Sequence, residues 1–325
     1  MQHPAILGLD IGGTLLKMGL VNQQGDLLCW DEKPYLAGNN YQALLHLGAT
    51  MAEDLLRKAR CSWQDIAGVG VGIAAFLDLP RGIVVEAVNL GWHDVPLRQD
   101  LEKLWSKPVY VDNDANVAAL GEKWAGVGKG SDNLLCLTLG TGVGGGVVIG
   151  GNIYHGANGS AGEIGHLTVK RRRGHPCNCG KRGCLETEVS ARAIVRETLA
   201  RIKLIQSEQL QQEYQATGTL SGQSVIKQAI EGEPVCCKVI AQAGRVLGRA
   251  LAEISYVLNP ELIIIGGGLS IAGEILYSPL RAAYAANVLP CVGQATAIVA
   301  AQLGNKAGMI GAAKLTQGAA HQFKA

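Results

Sequence analysis

Two segments of this chain share one form: an apolar strand, a glycine turn and a second apolar strand. AILGLDIGGTLLKMGLV begins at residue 5, and NLLCLTLGTGVGGGVVIGG begins at residue 133, about 130 residues later. Each is followed by alternating helical and strand patterns, so the repeat predicts two related α/β halves, each opening on a glycine hairpin. In the first half, ILGLD and LLKMGLV are strands joined by the IGGT turn, and NQQGD is a second turn. Residues 41–60 have the apolar spacing of a helix, and 66–76 read as an apolar strand. PLRQDLEKLW is a short helix, PVYVDND (108–114) a strand ending in acids, and ANVAALGEKWAG the helix that follows. In the second half, 190–203 and 223–258 have helical patterns, while 204–222 is polar, with Gln and Gly and no clear period. ELIIIGGGLS (261–270) is a strand running into a glycine turn. A helix follows to about 287, then the strand ATAIVAA and a last helix near 306–316. The boundary between halves is expected near residue 117.

Composition narrows the function. The 325 residues are 48% hydrophobic and 17% charged, enough apolar surface for a substantial core. A formal net charge of +2 argues against a broad nucleic-acid footprint. The one basic run, Lys170 to Arg173, reads as a solvated loop. There is no apolar run of membrane-spanning length and no basic, apolar leader at the N-terminus, so a cytoplasmic protein is expected. Nine cysteines in a chain this long do not make a disulfide scaffold. Six of them (Cys29, Cys61, Cys136, Cys236, Cys237 and Cys291) are scattered and read as small hydrophobes.

The other three are close together, in GHPCNCGKRGCLE (174–186). A stable disulfide is disfavoured in a reducing compartment, and C-x-C-x4-C is not a redox pair. Cys177, Cys179 and Cys184 match a structural zinc knuckle that lacks one ligand. Both His175 and His166, the latter in EIGH, are candidates for the fourth, and spacing alone does not choose between them.

The chemistry sits at strand ends and turns. LGTGVGGG (139–146) contains GxGxxG, but a dinucleotide-binding turn must open a helix, and here a strand follows. A glycine hairpin can still present several N–H groups to phosphate. DIGGT (10–14) has the same form with Asp10 and Thr14 added. Two such turns would hold the phosphates of one nucleotide, with Asp10 reaching Mg²⁺ directly or through water. DNDAN (112–116) places acids at a strand-to-helix junction. Phosphoryl transfer to an alcohol needs a carboxylate there to accept the hydroxyl proton; the plainer reading is that Asp112 or Asp114 caps the helix. Glu163, His166 and Glu186 lie around the zinc loop, and NLGW adds Asn89 and Trp92, all side chains suited to sugar hydroxyls.

DIGGT, NLGW, DNDANVAALGE, LTLGTGVGGGVVIGG, GEIGH, CNCGKRGCLE and NPELIIIGGGLS occur in an order that resembles the ROK family (repressor, open reading frame, kinase), above all its ATP-dependent glucokinases. The resemblance runs from residue 10 to about 316. It implies an actin-like (hexokinase/ribonuclease H-type) α/β fold of two domains with a cleft between them. The smaller would hold 1–117 and a C-terminal helix at about 304–325; the larger, 118–303, would carry the zinc loop at about 166–186. The implied reaction is ATP-dependent phosphorylation of a hexose at O6, glucose first, with N-acetylmannosamine, N-acetylglucosamine, mannose and fructose as alternatives and polyphosphate as a lesser donor. The implied base is Asp114. Asn89, Asn113, Asp114, Glu163, His166 and Glu186 match sugar positions. Gly12, Gly13 and Thr14, with Thr138, Gly140, Thr141 and Gly142, match the phosphate turns, and Gly266, Gly267 and Gly268 the nucleoside region. The family pattern chooses His166 with Cys177, Cys179 and Cys184 for structural Zn²⁺ and leaves His175 out. Homodimers or homotetramers are implied, without a membrane or nucleic-acid partner. One departure touches substrate range: many relatives have Gly-x-Pro-Gly where this chain has GIAAF (72–76). The family's repressors carry an added N-terminal helix-turn-helix domain, and this sequence begins at the phosphate strand, so a regulator is the weaker expectation. A sugar sensor without turnover and an NAD-dependent dehydrogenase are the remaining alternatives.

Overall fold

A computed structural model describes residues 4–35 and 41–322. The ends of the expected domains, 1–3 and 323–325, lie outside the described residues, as does 36–40. The strands and helices read from the sequence pattern occur in the expected order, with further elements between them. The first half runs β1 (Ala5–Ile11), β2 (Leu15–Val21), β3 (Leu27–Pro34), α1 (Tyr41–Ala59), β4 (Ile66–Ile73), β5 (Phe76–Asp78), β6 (Ile83–Ala87), β7 (Trp92–Val95), α2 (Leu97–Trp105), β8 (Val109–Asn113) and α3 (Asp114–Ala125). Then come β9 (Leu134–Leu139), β10 (Val143–Ile149), β11 (Asn152–Ile153), α4 (Glu186–Val189), α5 (Ala191–Leu199), α6 (Glu208–Thr217), α7 (Gly222–Ile230) and α8 (Pro234–Leu258). The chain closes with β12 (Leu262–Gly266), α9 (Glu274–Ala285), α10 (Pro290–Gly293), β13 (Ala297–Ala300) and α11 (Ala307–Gln322). Among the described residues no helix is long and apolar enough to cross a membrane.

The chain divides into two compact units. The first holds residues 1–132, 146–162 and 302–325, and the second 133–145 and 163–301. In the first unit a five-stranded sheet has the order β3-β2-β1-β4-β8. The β1–β2 and β2–β3 pairs are antiparallel; β1–β4 and β4–β8 are parallel. The alternation of β4, IAGVGVGI, explains how both faces are covered. Val69, Val71 and Ile73 join Leu7, Leu9 and Ile11 of β1 in a core that includes Leu55 of α1 and Leu101 of α2. The opposite row is glycine. A Cβ on Gly70 would strike the carbonyl oxygen of Ala312, and one on Gly8 that of Met309. α11 therefore lies directly on the sheet, closer than any side chain would permit. Its own Gly311 meets the Val117 carbonyl of α3 in the same way. A small antiparallel sheet, β5-β6-β7, also belongs to this unit and had no clear signature in the sequence.

In the second unit β12 lies parallel to both β9 and β13. The strand β10 begins here and continues into the first unit, where it pairs with β11. The long helical pattern at 223–258 is two helices, not one. Gly232 at φ +94° and Pro234 at the first turn of α8 break it. The polar stretch 204–222 contains α6, capped by Ser207 and buried only at Leu210, so it has almost no apolar period to read. α8 packs on α9 through Gly244 and Gly248, whose missing side chains admit the α9 backbone at Leu276 and Leu280. Of the six scattered cysteines, Cys136 and Cys236 are buried, but Cys291 is exposed and does not pack as a small hydrophobe.

Candidate functional site

In the first unit the β1–β2 hairpin builds a turn at Gly12, Gly13 and Thr14. Gly12 N–H donates to Leu15 O at 3.0 Å. Tyr35 clamps the turn from the end of β3: its hydroxyl donates to Gly12 O and its N–H to Thr14 O. Burial, followed by the Asp10 charge, raises the Tyr35 pKa, so the phenol keeps the proton that it donates. Asn89, in the β6–β7 turn, packs its Cβ beside Gly13. Asp10 belongs to the row of β1 that faces α11, and its carboxylate lies against Gly308 in the first turn of that helix. Across the hairpin, Lys17 Nζ is 3.2 Å from Asp10 Oδ2. A helix N-terminus and an ammonium thus both place positive charge beside this carboxylate. With positive charge already beside it, this carboxylate would meet a Mg²⁺ through a water ligand and not as a lone direct ligand.

The β8–α3 junction is the second constellation. Asn113 is the N-cap, with φ −66° and ψ 147°, and its Oδ1 accepts from Ala115 N–H at 2.9 Å. Neither Asp112 nor Asp114 caps the helix, so the plainer reading of the acids fails here. Asp114 is the first residue of α3. The Asn113 amide also donates to Ala75 O at 3.4 Å, so the departing GIAAF loop touches a residue expected to bind sugar. Asp112 is 2% exposed. Its Oδ1 accepts from Asn113 N–H (2.7 Å) and Asn116 Nδ2 (2.9 Å), and its Oδ2 lies 2.7 Å from His155 Nε2. Burial opposes a charge on His155, but the hydrogen bond to Asp112 and that carboxylate's charge outweigh it and raise the His155 pKa.

In the second unit Thr138 is the penultimate residue of β9 and Gly140, Thr141 and Gly142 form the turn, with Gly140 N–H donating to Gly142 O at 3.0 Å. Three elements brace it. Glu186, at the head of α4, accepts from Val143 N–H at 3.1 Å through Oε2, and a Cβ on Gly142 would meet the same oxygen. Ala191 N–H, at the start of α5, donates to Gly140 O at 2.8 Å. Gly165 of GEIGH packs on the Val143 carbonyl. On the other side lies the 266–268 turn. Gly266 pairs in register with Thr138, and Gly267, at φ +84°, is so close to Leu139 that a Cβ would sit 2.5 Å from its carbonyl oxygen. The two glycine turns of this unit are therefore neighbours.

The cysteine loop folds as a knuckle. Cys177 N–H donates to Lys181 O, Gly180 N–H to Cys177 O, and Leu185 N–H to Leu167 O. His166 Nδ1 is 3.6 Å from Cys177 Sγ, and Cys179 Sγ is 3.6 Å from Cys184 Sγ. All four donor atoms lie within 4.8 Å of one another. Tetrahedral zinc, with Zn–S of about 2.3 Å and Zn–N of about 2.1 Å, separates neighbouring donors by about 3.6–3.8 Å. Donor types and spacing both fit that ion. His175 points elsewhere, to Glu197, with Nε2 3.7 Å from Oε1. Glu163 precedes the one-turn helix that carries His166, and its Oε2 is 3.8 Å from His166 Nε2.

The structure thus gathers Asp10, Gly12, Gly13, Thr14 and Asn89 at one hairpin, with Asn113 and Asp114 at one helix head. It gathers Thr138, Gly140, Thr141, Gly142, Glu186 and Gly266 to Gly268 at a second pair of turns, and Glu163 and His166 at the cysteine cluster. A model of the ROK family matches residues 6–319. The chain belongs to the ROK family. Among ROK proteins it is 43% identical to a glucokinase of Halalkalibacterium halodurans over 94% of this chain and 92% of that one. It resembles the crystal structure of a ROK family glucokinase from Streptomyces griseus in complex with glucose and AMPPNP. The TM-score is 0.83 at 32% identity, covering 97% of this chain and 99% of that one. A ROK family transcriptional regulator, a homologue of the E. coli MLC protein, matches with a TM-score of 0.84 at 27% identity, over 96% of this chain and 78% of that one. The fold is thus the ROK one, and ROK kinases and regulators share it. Sequence reading missed three residues of these constellations: Lys17, Tyr35 and His155. Lys17 was open to detection, because a tight hairpin puts it opposite Asp10. Nothing in the sequence ties His155 to Asp112, 43 positions away.

Proposed function

We propose that this chain is a glucokinase that transfers the γ-phosphoryl group of ATP to the 6-hydroxyl of glucose. The observation that carries the reading is Asp114 at the head of α3, with helix capping assigned to Asn113, in a chain 43% identical to a glucokinase. Asp114 takes the hydroxyl proton as the new P–O bond forms and the P–O bond to ADP breaks. The Gly12–Thr14 and Gly140–Gly142 turns offer backbone N–H groups to the phosphates, and Gly266 to Gly268 face the nucleoside. Mg²⁺ held with ATP would offset phosphate charge, and Asp10 is the carboxylate that would orient it. Asn89, Asn113, Glu163, His166 and Glu186 bind sugar hydroxyls. His166, Cys177, Cys179 and Cys184 would hold a structural Zn²⁺, since together they would fill all four positions, and the ion would fix the backbone that carries Glu163 and Glu186. ATP as donor and thiolate ligands both suit a reducing cytoplasm.

The test is turnover of Asp114→Asn. The variant should keep the wild-type fold and melting temperature and lose about two to four orders of magnitude in kcat. Near-normal kcat would remove Asp114 from the role. Phosphorus NMR of the wild-type product should show a phosphomonoester on the C6 oxygen.

A further inference from the structure

Asp112 is the most buried carboxylate at the β8–α3 junction, and the phosphoryl-transfer scheme above gives it nothing to do. Three N–H groups converge on it. Asn113 N–H and Asn116 Nδ2 share Oδ1, and His155 Nε2 holds Oδ2. The Asn116 amide is oriented by this demand: its Nδ2 is given to Asp112 while its own Oδ1 is buried with no partner among the described residues. A buried carbonyl oxygen left unpaired is unfavourable, so acceptance by Asp112 sets the polarity of the cluster. The two bonds on Oδ1 bracket the junction. One fixes the peptide N–H of Asn113 and the other the first turn of α3 at Asn116; Asp114 lies between them. His155, from the segment after β11, holds the second oxygen and so stops the carboxylate from rotating about its Cβ–Cγ bond.

We propose that His155 is a positioning residue for Asp114, acting through Asp112. The proposal rests on Asp114 as the base of the kinase reaction. A carboxylate held on both oxygens keeps the strand end and the helix head in one arrangement. One held only through Oδ1 can swing, and Asn113 and Asn116 move with it. Displacements of about 1 Å in catalytic geometry lower rates by about a hundredfold, so a partial loosening here should lower kcat by about tenfold. The phosphate turn at Gly12 to Thr14 lies on other strands, so the KM for ATP should hardly change.

The experiment is a set of variants in the full chain, assayed well below the melting temperature with circular dichroism as the check on folding. His155→Leu removes the donor. His155→Gln retains an N–H near the Nε2 position, and it serves as the folded reference should the leucine variant fold poorly. The expected result is a tenfold lower kcat for His155→Leu, an unchanged KM for ATP, and recovery of most of the loss in His155→Gln. In an Asp114→Asn background His155→Leu should have no further effect, because a residue that acts through Asp114 has nothing left to position. Wild-type kcat in His155→Leu overturns the proposal. An undiminished tenfold loss in the Asp114→Asn background also overturns it, since His155 would then act by another route. If Asp114→Asn itself keeps normal turnover, the base assignment has failed, and that result is distinct from both of the others.

Discussion

Removing the metal from the cysteine cluster should loosen the second unit by an amount that can be worked out. His166 and Cys184 would be the outermost ligands of the proposed zinc, so the ion would close the 166–184 segment. A cross-link that closes a loop of this order contributes about 3 kcal/mol through the unfolded state alone. In a unit of this size each kcal/mol moves the melting temperature by about 2–4 °C, so loss of the ion should lower it by about 6–12 °C. The native state adds to this, because Cys184 is fully buried and Cys177 nearly so, and three thiols without zinc would face one another there. The assay is differential scanning fluorimetry before and after chelation, with zinc measured by elemental analysis. His166→Ala should lose the metal and reproduce the shift. His175→Ala should keep the metal, because its ring faces Glu197 instead. An unchanged melting temperature in protein whose zinc has been stripped would refute the reasoning, and so would equal metal content in both histidine variants.

Other consequences follow from single contacts. Gly142→Ala sets a Cβ against Glu186 Oε2 and should break its bond to Val143 N–H. A hydrogen bond to a charged group contributes about 1.5–3 kcal/mol, so at about 2–4 °C per kcal/mol the melting temperature should fall by about 3–12 °C, and kcat/KM should fall with it if the turn holds phosphate. Steady-state kinetics beside a melting curve would check it. The pH dependence of stability should carry a His155 component. Its folded pKa is raised, so the stabilisation is fully present below the unfolded value of about 6.5 and is lost as pH rises through the folded pKa. The difference in melting temperature between wild type and His155→Gln should therefore be largest on the acid side and shrink as pH rises; a difference flat with pH would contradict the shift.

Much of this molecule could be read in advance where one local rule decides. The two glycine hairpins, the DND strand end and the cysteine spacing each specify backbone and chemistry within a few residues. The alternate glycines of IAGVGVGI signalled an apolar strand but not their purpose, because Gly68 and Gly70 face α11, more than 200 positions along the chain, and Gly72 faces Val117 of α3. In the fold His166 lies with the three thiols and His175 beside Glu197, a difference of side-chain direction that spacing does not encode. α6 escaped because a helix that buries only Leu210 leaves no periodic trace. The cap of α3 stayed open because Asp112, Asn113 and Asp114 are all good caps, and only the backbone turn shows which one is at the boundary. His155 was invisible for the simplest reason: it is joined to Asp112 by the fold alone.

The most direct measurement is ADP release with Mg-ATP, paired with product analysis, across glucose, mannose, fructose, N-acetylglucosamine and N-acetylmannosamine. Glucose should give the highest kcat/KM, with one ADP formed for each glucose 6-phosphate. Preference for an N-acetyl sugar would retain the chemistry and contradict the substrate, pointing to the GIAAF loop at Asn113. Glucose binding by calorimetry with no ADP from any sugar would contradict the central claim and leave a sugar-binding protein without turnover.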